Sequence, residues 1–365
     1  MLYLLTMNKL FITFFALGLS MQYACAQSNV IKNNDPHIHY MGRVAVTDSA
    51  TVLSWAGNSA TINFNGTGVN ALLKDERGDN YMKVIVDGNI LPDIKLDSTK
   101  HLYTLVKDLP AARHTLQLYK RGEWAFGKTW FYQFELNDKG TIAEAPATKK
   151  RKIEFFGNSI TCGYADLDTE GKDRGSSPFE DNYLSYAAIT ARHFDAEYSC
   201  IAKSGIGVLV SWFPPIMPEM YDRLDATDSN SKWDFTKYTP DVVVINLFQN
   251  DSWIVLKPDN PEFKHRFGTK PPSPEQIISA YYEMVKNIRA KYPKAQIICA
   301  LGSMDATKEG SPWPGYITSA VNQLNDKKIK AHFFPYKNTN GHPSKAEQQA
   351  MADDLISYIE KNIKW

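Results

Sequence analysis

Several features that mark particular protein classes are missing from this sequence of 365 residues. It has 41 Lys and Arg residues against 40 Asp and Glu residues, so the basic excess of a nucleic-acid-binding protein is absent and we expect no nucleic-acid partner. No apolar run after the N-terminal region approaches the length of a transmembrane helix, and we expect no membrane span. No Cys or His spacing matches a zinc site, and we expect neither a metal nor another cofactor.

Cysteine is scarce, with four residues in the whole chain. Cys162, Cys200 and Cys299 lie in or beside apolar runs. The fourth, Cys25, lies in the predicted signal peptide described below, so three thiols remain after cleavage. Three thiols cannot all pair with one another within a secreted chain. We expect these three to be buried free thiols.

Residues 1–26 have the pattern of a secretory signal peptide. Lys9 precedes a short apolar run at 10–19, and Ala24, Cys25 and Ala26 resemble an A-x-A cleavage site. The sequence therefore predicts a secreted or periplasmic protein. Lipid attachment at Cys25 is the less favoured alternative, because residues 22–24 fit a lipoprotein signal poorly.

Residues 27–137 have the short alternating runs of an all-β domain. The pairs Asn65-Gly66, Asp87-Gly88 and Arg121-Gly122 suit tight hairpins. This pattern predicts an antiparallel sandwich or jelly roll. Residues 138–151 are polar and are predicted to be a linker. Predicted strands include 61–64, 83–86, 115–118 and 131–136.

Residues 152–365 follow a different pattern, in which buried strands alternate with helices. Such alternation predicts a parallel sheet covered by helices on both faces. Five strands predict an α/β, flavodoxin-like three-layer sandwich. The predicted strands are 153–156, 198–202, 242–247, 297–301 and 332–334, and the predicted helices are 182–194, 274–292, 315–328 and 344–359.

A serine and a histidine follow the first and last of these strands. Ser159 comes directly after strand one, and His342 lies between strand five and the last helix. In an open parallel sheet, both positions lie at the edge where ligands bind. A serine nucleophile needs a base to take its proton, so this placement favours Ser159 as nucleophile and His342 as base. Helix capping is the alternative role for each residue.

Two further residues follow the intervening strands. Gly205 follows strand two and can present a bare backbone N–H, and Asn250 follows strand three and can donate from its side-chain amide. Together with the Ser159 backbone N–H they would form an oxyanion hole with three donors. Each also suits an ordinary turn.

Ser159, Gly205, Asn250 and His342 resemble, in this order, the four blocks of the SGNH (GDSL-like) hydrolase superfamily. The preceding β-rich domain, with the Gly-Asn-Ser-Ile-Thr and Gly-His-Pro-Ser blocks, looks like carbohydrate esterase family 2. That resemblance implies a jelly roll joined to an SGNH domain. It also implies an esterase that removes acetyl groups from plant polysaccharides such as xylan and glucomannan, with an acetylated polysaccharide or oligosaccharide as its partner and no cofactor.

The sequence departs from the superfamily pattern in three places. Phe248 replaces a glycine, and an aromatic side chain there is expected to narrow the pocket or stack on sugar. Asn158 replaces an Asp. Thr339 stands three residues before the histidine, where many members carry Asp. We therefore expect a Ser–His dyad with a backbone carbonyl orienting His342. Substitution of the missing carboxylate by Asp305 or Asp251 is less favoured.

Three tryptophans follow strands two, three and four, and aromatic faces pack well on sugar rings. Trp212, Trp253 and Trp313 are the candidates for substrate binding, with core packing as the alternative for each. Two other functions stay open, a lipid or aryl-ester hydrolase and a catalytically inactive carbohydrate-binding protein. A monomer is favoured.

Overall fold

The computed structural model describes residues 29–137 and 139–365. The predicted signal peptide, with Cys25, lies outside these residues. No helix within them is both long and apolar enough to cross a membrane. Cys162, Cys200 and Cys299 are buried free thiols, as predicted.

The N-terminal half is a sandwich of two antiparallel sheets, as predicted. Its strands are β1 (Val30–Lys32), β2 (His39–Met41), β3 (Val44–Val46), β4 (Thr51–Leu53), β5 (Ser59–Gly66), β6 (Val69–Asp75), β7 (Tyr81–Val86), β8 (Asn89–Ile90), β9 (Ile94–Lys95), β10 (His101–Val106), β11 (Ala112–Lys120), β12 (Thr129–Leu136) and β13 (Thr141–Ile142). One sheet has the order β10-β6-β12-β4-β3, with β1 on β12. The other has the order β13-β5-β11-β7-β8, with β2 on β5 and β9 on β7.

Side-chain alternation along the strands builds the core of the sandwich. In β6 every second residue is buried, and Val69, Ala71 and Leu73 point into the core. Phe64 and Phe131 fill the same core from the two different sheets. Each sheet therefore covers the apolar face of the other.

The turn signals were correct at one of three positions. Asp87 and Gly88 form the predicted hairpin between β7 and β8, both with positive φ. Asn65-Gly66 and Arg121-Gly122 are not hairpins, because β5 and β11 are each followed by a strand of the opposite sheet. The predicted linker also contains β13, which pairs with β5. A dipeptide reports local turn preference and not which sheet the next strand joins.

The C-terminal half contains the predicted five-stranded parallel sheet. Its strands are β14 (Arg151–Gly157), β15 (Ala196–Ala202), β16 (Val242–Asn246), β17 (Gln296–Leu301) and β18 (Ile329–Phe333). Its helices are α1 (Ser159–Cys162), α2 (Tyr186–His193), α3 (Gln249–Ile254), α4 (Pro261–Phe267), α5 (Pro274–Lys291), α6 (Trp313–Leu324) and α7 (Lys345–Asn362). Short 3-10 helices lie at Trp124–Phe126, Ser177–Phe179, Asn182–Leu184, Met217–Glu219, Phe235–Lys237 and Asp305–Thr307.

The strand order β15-β14-β16-β17-β18 is the flavodoxin-like order. The sheet is buried on both faces, so its strands read as continuous apolar runs. Two adjacent residues of β14 face opposite sides of the sheet. Phe155 packs with α2 and α7, whereas Phe156 packs with α5 and α6. The three-layer architecture is therefore confirmed.

The two halves are joined by buried polar contacts. The guanidinium of Arg43, from the sandwich, pairs with Glu154 of β14 at 3.1 Å, and both side chains are fully buried. The Trp55 indole donates to the Leu224 carbonyl at 2.8 Å. Arg121 donates to the carbonyls of Ser177 and Glu180. The loops at the edge of the parallel sheet are thus braced by the sandwich.

Candidate active site

A tight turn places Ser159 at the carboxyl end of β14. The strand ends at Gly157, and α1 begins at Ser159 after a one-residue cap. The Asn158 side chain accepts from the Ile160 N–H and caps this short helix. A Cβ atom on Gly157 would lie 2.0 Å from Oγ1 of Thr161, so the turn needs glycine there.

His342 reaches Ser159 from the other end of the C-terminal half. Its Nε2 lies 2.8 Å from Oγ of Ser159. His342 stands just before α7, which begins with a capping box formed by Ser344 and Glu347. The predicted convergence of the serine and the histidine is present, and the distance suits proton transfer.

The prediction that a backbone carbonyl orients His342 is wrong. Nδ1 of His342 lies 2.9 and 3.1 Å from the two carboxylate oxygens of Asp173, and the His342 N–H donates to the same carboxylate at 2.9 Å. These bonds hold the pKa of Asp173 below its ordinary value. Ser159, His342 and Asp173 therefore have the connectivity of a catalytic triad.

Close packing around His342 determines the path of the loop that carries Asp173. The Tyr164 ring lies against the His342 ring, with centroids 4.2 Å apart. A Cβ atom on Gly175 would lie 2.0 Å from the Tyr164 hydroxyl oxygen, so only glycine lets the loop pass there. Arg174 pairs with the buried carboxylate of Asp168 and anchors the loop next to Asp173. No motif in the sequence marks Asp173, and sequence reasoning missed it.

The residues carrying the remaining SGNH blocks also lie at this edge. Gly205 has a φ of +84°, which favours glycine, and a Cβ atom there would lie 3.0 Å from the Phe213 ring. Within the described residues, neither its N–H nor that of Ser159 has a protein acceptor. Their role as oxyanion donors stays a prediction, with which these unpaired N–H groups are compatible.

Hydrogen bonds on both sides fix the amide of Asn250. Its Nδ2 donates to the Ile206 carbonyl at 2.8 Å, and its Oδ1 accepts from the Trp212 indole at 3.1 Å. A carbonyl needs a donor and an indole N–H needs an acceptor, so the orientation of the amide is determined. Among the described residues, the second Nδ2 hydrogen has no acceptor.

Comparison with known proteins agrees with this geometry. Residues 40–146 match the family described as carbohydrate esterase 2 N-terminal, and residues 155–356 match the GDSL-like lipase/acylhydrolase family. A solved structure of a family two carbohydrate esterase from Clostridium thermocellum, in complex with cellohexaose, superposes with a TM-score of 0.80. It is 34% identical and is matched over 98% of its chain and 89% of this one.

The chain belongs to carbohydrate esterase family 2. Cellulase/esterase CelE of Acetivibrio thermocellus is 34% identical over 91% of this chain, which spans 40% of the length of that protein. An acetylxylan esterase / glucomannan deacetylase of Cellvibrio japonicus is 25% identical, with 94% of each chain covered. The protein is accordingly a carboxylic ester hydrolase of the carbohydrate esterase type.

The three tryptophans occupy different environments in this family 2 fold. Trp212 is 43% exposed beside Gly205 and Asn250. Trp253 is half-buried, and its indole donates to the Asp305 carboxylate at 3.0 Å. Trp313 is 6% exposed and packs in the core, so the structure contradicts its prediction as a substrate-binding residue.

Phe248 also lies in the core, and the expected contact with sugar is wrong. It is fully buried, with its ring centroid 4.7 Å from that of Tyr281 and 5.0 Å from that of Trp313. Its φ of +85° explains why the superfamily pattern has glycine at this position. The gain from burying the ring offsets the strain of this backbone conformation.

The alternative carboxylates do not contact His342. Asp305 is bound to Trp253, as described above. Asp251 accepts from the backbone N–H groups of residues 208–210, and burial raises its pKa to about 6. Among the described residues, no group of three or more His, Cys, Asp or Glu side chains is arranged to hold a metal ion.

Proposed function

We propose that this protein is a secreted carbohydrate O-acetylesterase that hydrolyses acetyl esters on plant polysaccharides of the xylan or glucomannan type. The observation that carries the proposal is the 2.8 Å contact between Ser159 Oγ and His342 Nε2, beside amides free to bind an oxyanion. The acetylated substrate is supported by the Cellvibrio japonicus relative, which is named an acetylxylan esterase / glucomannan deacetylase.

In the first half-reaction, His342 Nε2 takes the proton of Ser159 while Oγ attacks the acetyl carbonyl carbon. The carbonyl oxygen becomes an oxyanion, which the backbone N–H groups of Ser159 and Gly205 and the Asn250 amide stabilise. His342 then returns its proton to the sugar oxygen as the ester bond breaks. The sugar alcohol leaves, and an acetyl group remains on Ser159.

The second half-reaction repeats these steps with water. His342 takes a proton from water, the hydroxyl oxygen attacks the acetyl-enzyme, and the protonated His342 returns its proton to Oγ of Ser159. Acetate is released. Throughout, the Asp173 carboxylate holds Nδ1 as the donor and stabilises the imidazolium, without itself accepting the proton.

Binding of the polysaccharide is proposed to use the exposed Trp212 and the half-buried Trp253. An aromatic face beside the oxyanion amides would hold a sugar ring close to the reacting acetyl group. The Clostridium thermocellum relative was solved in complex with cellohexaose, which supports a glycan as a ligand of this fold.

The decisive experiment measures acetate released from a panel of acetylated xylans, glucomannans and oligosaccharides. Wild type should release acetate from at least one of them, with chelators present. Ser159→Ala should release none while keeping its thermal transition, because removing a hydroxyl that does not cap a helix changes stability little. Turnover retained in Ser159→Ala would contradict the proposed nucleophile.

The competing ester classes are separated by acyl length. Acetyl esters should be hydrolysed faster than octanoyl esters, and the reverse order would favour a lipid or aryl-ester hydrolase. No turnover of any ester would favour a carbohydrate-binding protein. Secretion is tested by N-terminal sequencing of exported protein, which should begin after Ala26.

A further inference from the structure

A buried carboxylate of the sandwich reaches the loop that carries Gly205. Glu123 lies between β11 and β12 and is 1% exposed. Its Oε2 accepts a hydrogen bond from the Ser204 backbone N–H at 2.9 Å. Ser204 directly precedes Gly205, whose N–H is one of the proposed oxyanion donors. The sandwich therefore contacts the oxyanion loop through a buried charged side chain.

The Gly205 loop is a tight turn that Glu123 holds at its entry. The Ile206 N–H donates to the Lys203 carbonyl at 3.2 Å, which places Ser204 and Gly205 at the two central positions. Positive φ at the second central position is the mark of a type II turn. The Ser204 N–H belongs to the peptide between Lys203 and Ser204, and its bond to Glu123 holds that peptide in place. The position of the turn, and with it the position of the Gly205 N–H, therefore depends on Glu123.

Glu123 is itself held rigidly. Its backbone N–H donates to Oε1 of Glu180 at 2.7 Å, and its carbonyl accepts from the fully buried ammonium of Lys120 at 3.2 Å. Burial raises the pKa of Glu123, whereas the Ser204 bond and the charges of Lys203 and Lys120 favour its ionised form. The Glu123 end of the Glu123–Ser204 contact is thus fixed before substrate binds.

We propose that Glu123 is a positioning residue for the oxyanion hole, supplied by the sandwich to the hydrolase half. The inference rests on the proposed function of Ser159 and Gly205. It gives the sandwich a role in the chemical step, in addition to any contact with the polysaccharide.

The first test compares Glu123→Ala with Glu123→Gln. Complete loss of an oxyanion donor lowers turnover by about 10²–10³-fold, so a donor that is only displaced should lower it by about tenfold or more. Glu123→Ala should therefore lower kcat with little change in KM, because the oxyanion bond strengthens only in the transition state. Glu123→Gln keeps an acceptor oxygen for Ser204 and should retain most of kcat.

A matched control is Glu154→Gln. Glu154 is another buried carboxylate that joins the two halves, through Arg43, but it does not contact the oxyanion loop. This variant should lose stability and keep kcat within about twofold. A common fall in kcat for Glu123→Ala and Glu154→Gln would indicate a structural effect and would overturn the inference.

A second readout reports the oxyanion hole alone. A small alkylboronic acid forms a tetrahedral adduct on the serine of such enzymes and places an oxygen where the oxyanion forms. Its affinity should fall in Glu123→Ala by a factor similar to the fall in kcat. Unchanged kcat and unchanged boronate affinity, with the thermal transition retained, would overturn the proposal.

A variant that fails to fold and a protein that is not an esterase are distinguished from failure of this inference. If Glu123→Ala does not fold, Glu123→Asp serves instead, because it keeps the charge but is one carbon too short to reach Ser204. Full kcat in Glu123→Asp would then overturn the inference. A wild type that neither releases acetate nor binds boronate would overturn the proposed function, and this inference with it.

Discussion

The carboxylate of Asp173 accepts a hydrogen bond from Nδ1 of His342 at 2.9 Å, although 169 positions separate the two residues in the sequence. Thr339 occupies the position at which many superfamily members carry this carboxylate. Its hydroxyl forms hydrogen bonds with Glu347 and Lys337 and not with His342. The same orientation of the histidine is thus reached from a loop that follows Ser159. The orienting carboxylate is therefore present, but it does not lie three residues before the histidine, where the superfamily pattern places it.

Asp173→Asn should lower turnover by about 10²–10⁴-fold. Loss of the orienting carboxylate lowers the turnover of a serine protease about 10⁴-fold. The imidazole is no longer held in the correct tautomer, and the imidazolium that forms loses the negative charge that stabilises it. Steady-state kinetics on an acetyl ester measures the effect. Asp305→Asn and Asp251→Asn are the controls and should each retain more activity than Asp173→Asn. A 10⁴-fold loss in either control would move the orienting role to that residue.

Asn250→Ala should lower kcat by about 10²–10³-fold and change KM much less, as expected for one oxyanion donor. Unchanged kcat would make Asn250 a turn residue only.

Trp212→Phe tests two roles of the indole separately. It keeps an aromatic face but removes the N–H that holds Oδ1 of Asn250, so kcat should fall a few-fold with little change in KM. Trp212→Ala should in addition raise KM for polysaccharides. Equal KM in both variants and wild type would remove Trp212 from substrate binding.

Phe248→Gly should destabilise the protein even though it relieves backbone strain. A non-glycine residue at a φ of +85° costs on the order of 1–3 kcal/mol, whereas truncating a buried phenylalanine costs about 3–5 kcal/mol. The second effect is larger, so the free energy of unfolding should fall by about 1–3 kcal/mol. Chemical denaturation measures it, and a more stable variant would show that the strain dominates.

Asp166→Asn should stabilise the protein at neutral pH. Burial, followed by the nearby charge of Asp181, raises the pKa of Asp166 to about 9, so the folded protein keeps it protonated where the unfolded chain ionises it. Wild-type stability from this group is fully present below the ordinary aspartate pKa and is lost as pH rises through about 9. The amide avoids that loss. Melting temperatures of the two proteins should converge near pH 4 and diverge towards pH 8, and parallel curves would contradict the raised pKa.

Residue patterns alone were enough to predict the architecture and the proposed pair of Ser159 and His342. Apolar runs that alternate with helical segments specify a parallel sheet, and the carboxyl ends of parallel strands lie at one edge. Ser159, Gly205, Asn250 and His342 each follow such a strand, so the sheet brings all four towards the same edge. Short-range spacing was enough for this prediction because the sheet supplies the long-range order.

Tertiary structure alone decided which other side chains reach that edge. Asp173 is brought to His342 by a loop whose path depends on Tyr164 packing against Gly175, and Glu123 is brought to Ser204 by the docking of the sandwich. Phe248 and Trp313 lie in the core and not at the active-site edge, because helices α5 and α6 cover that face of the sheet. Such contacts join residues far apart in the chain, and their free energy depends on packing that no local pattern of residues encodes.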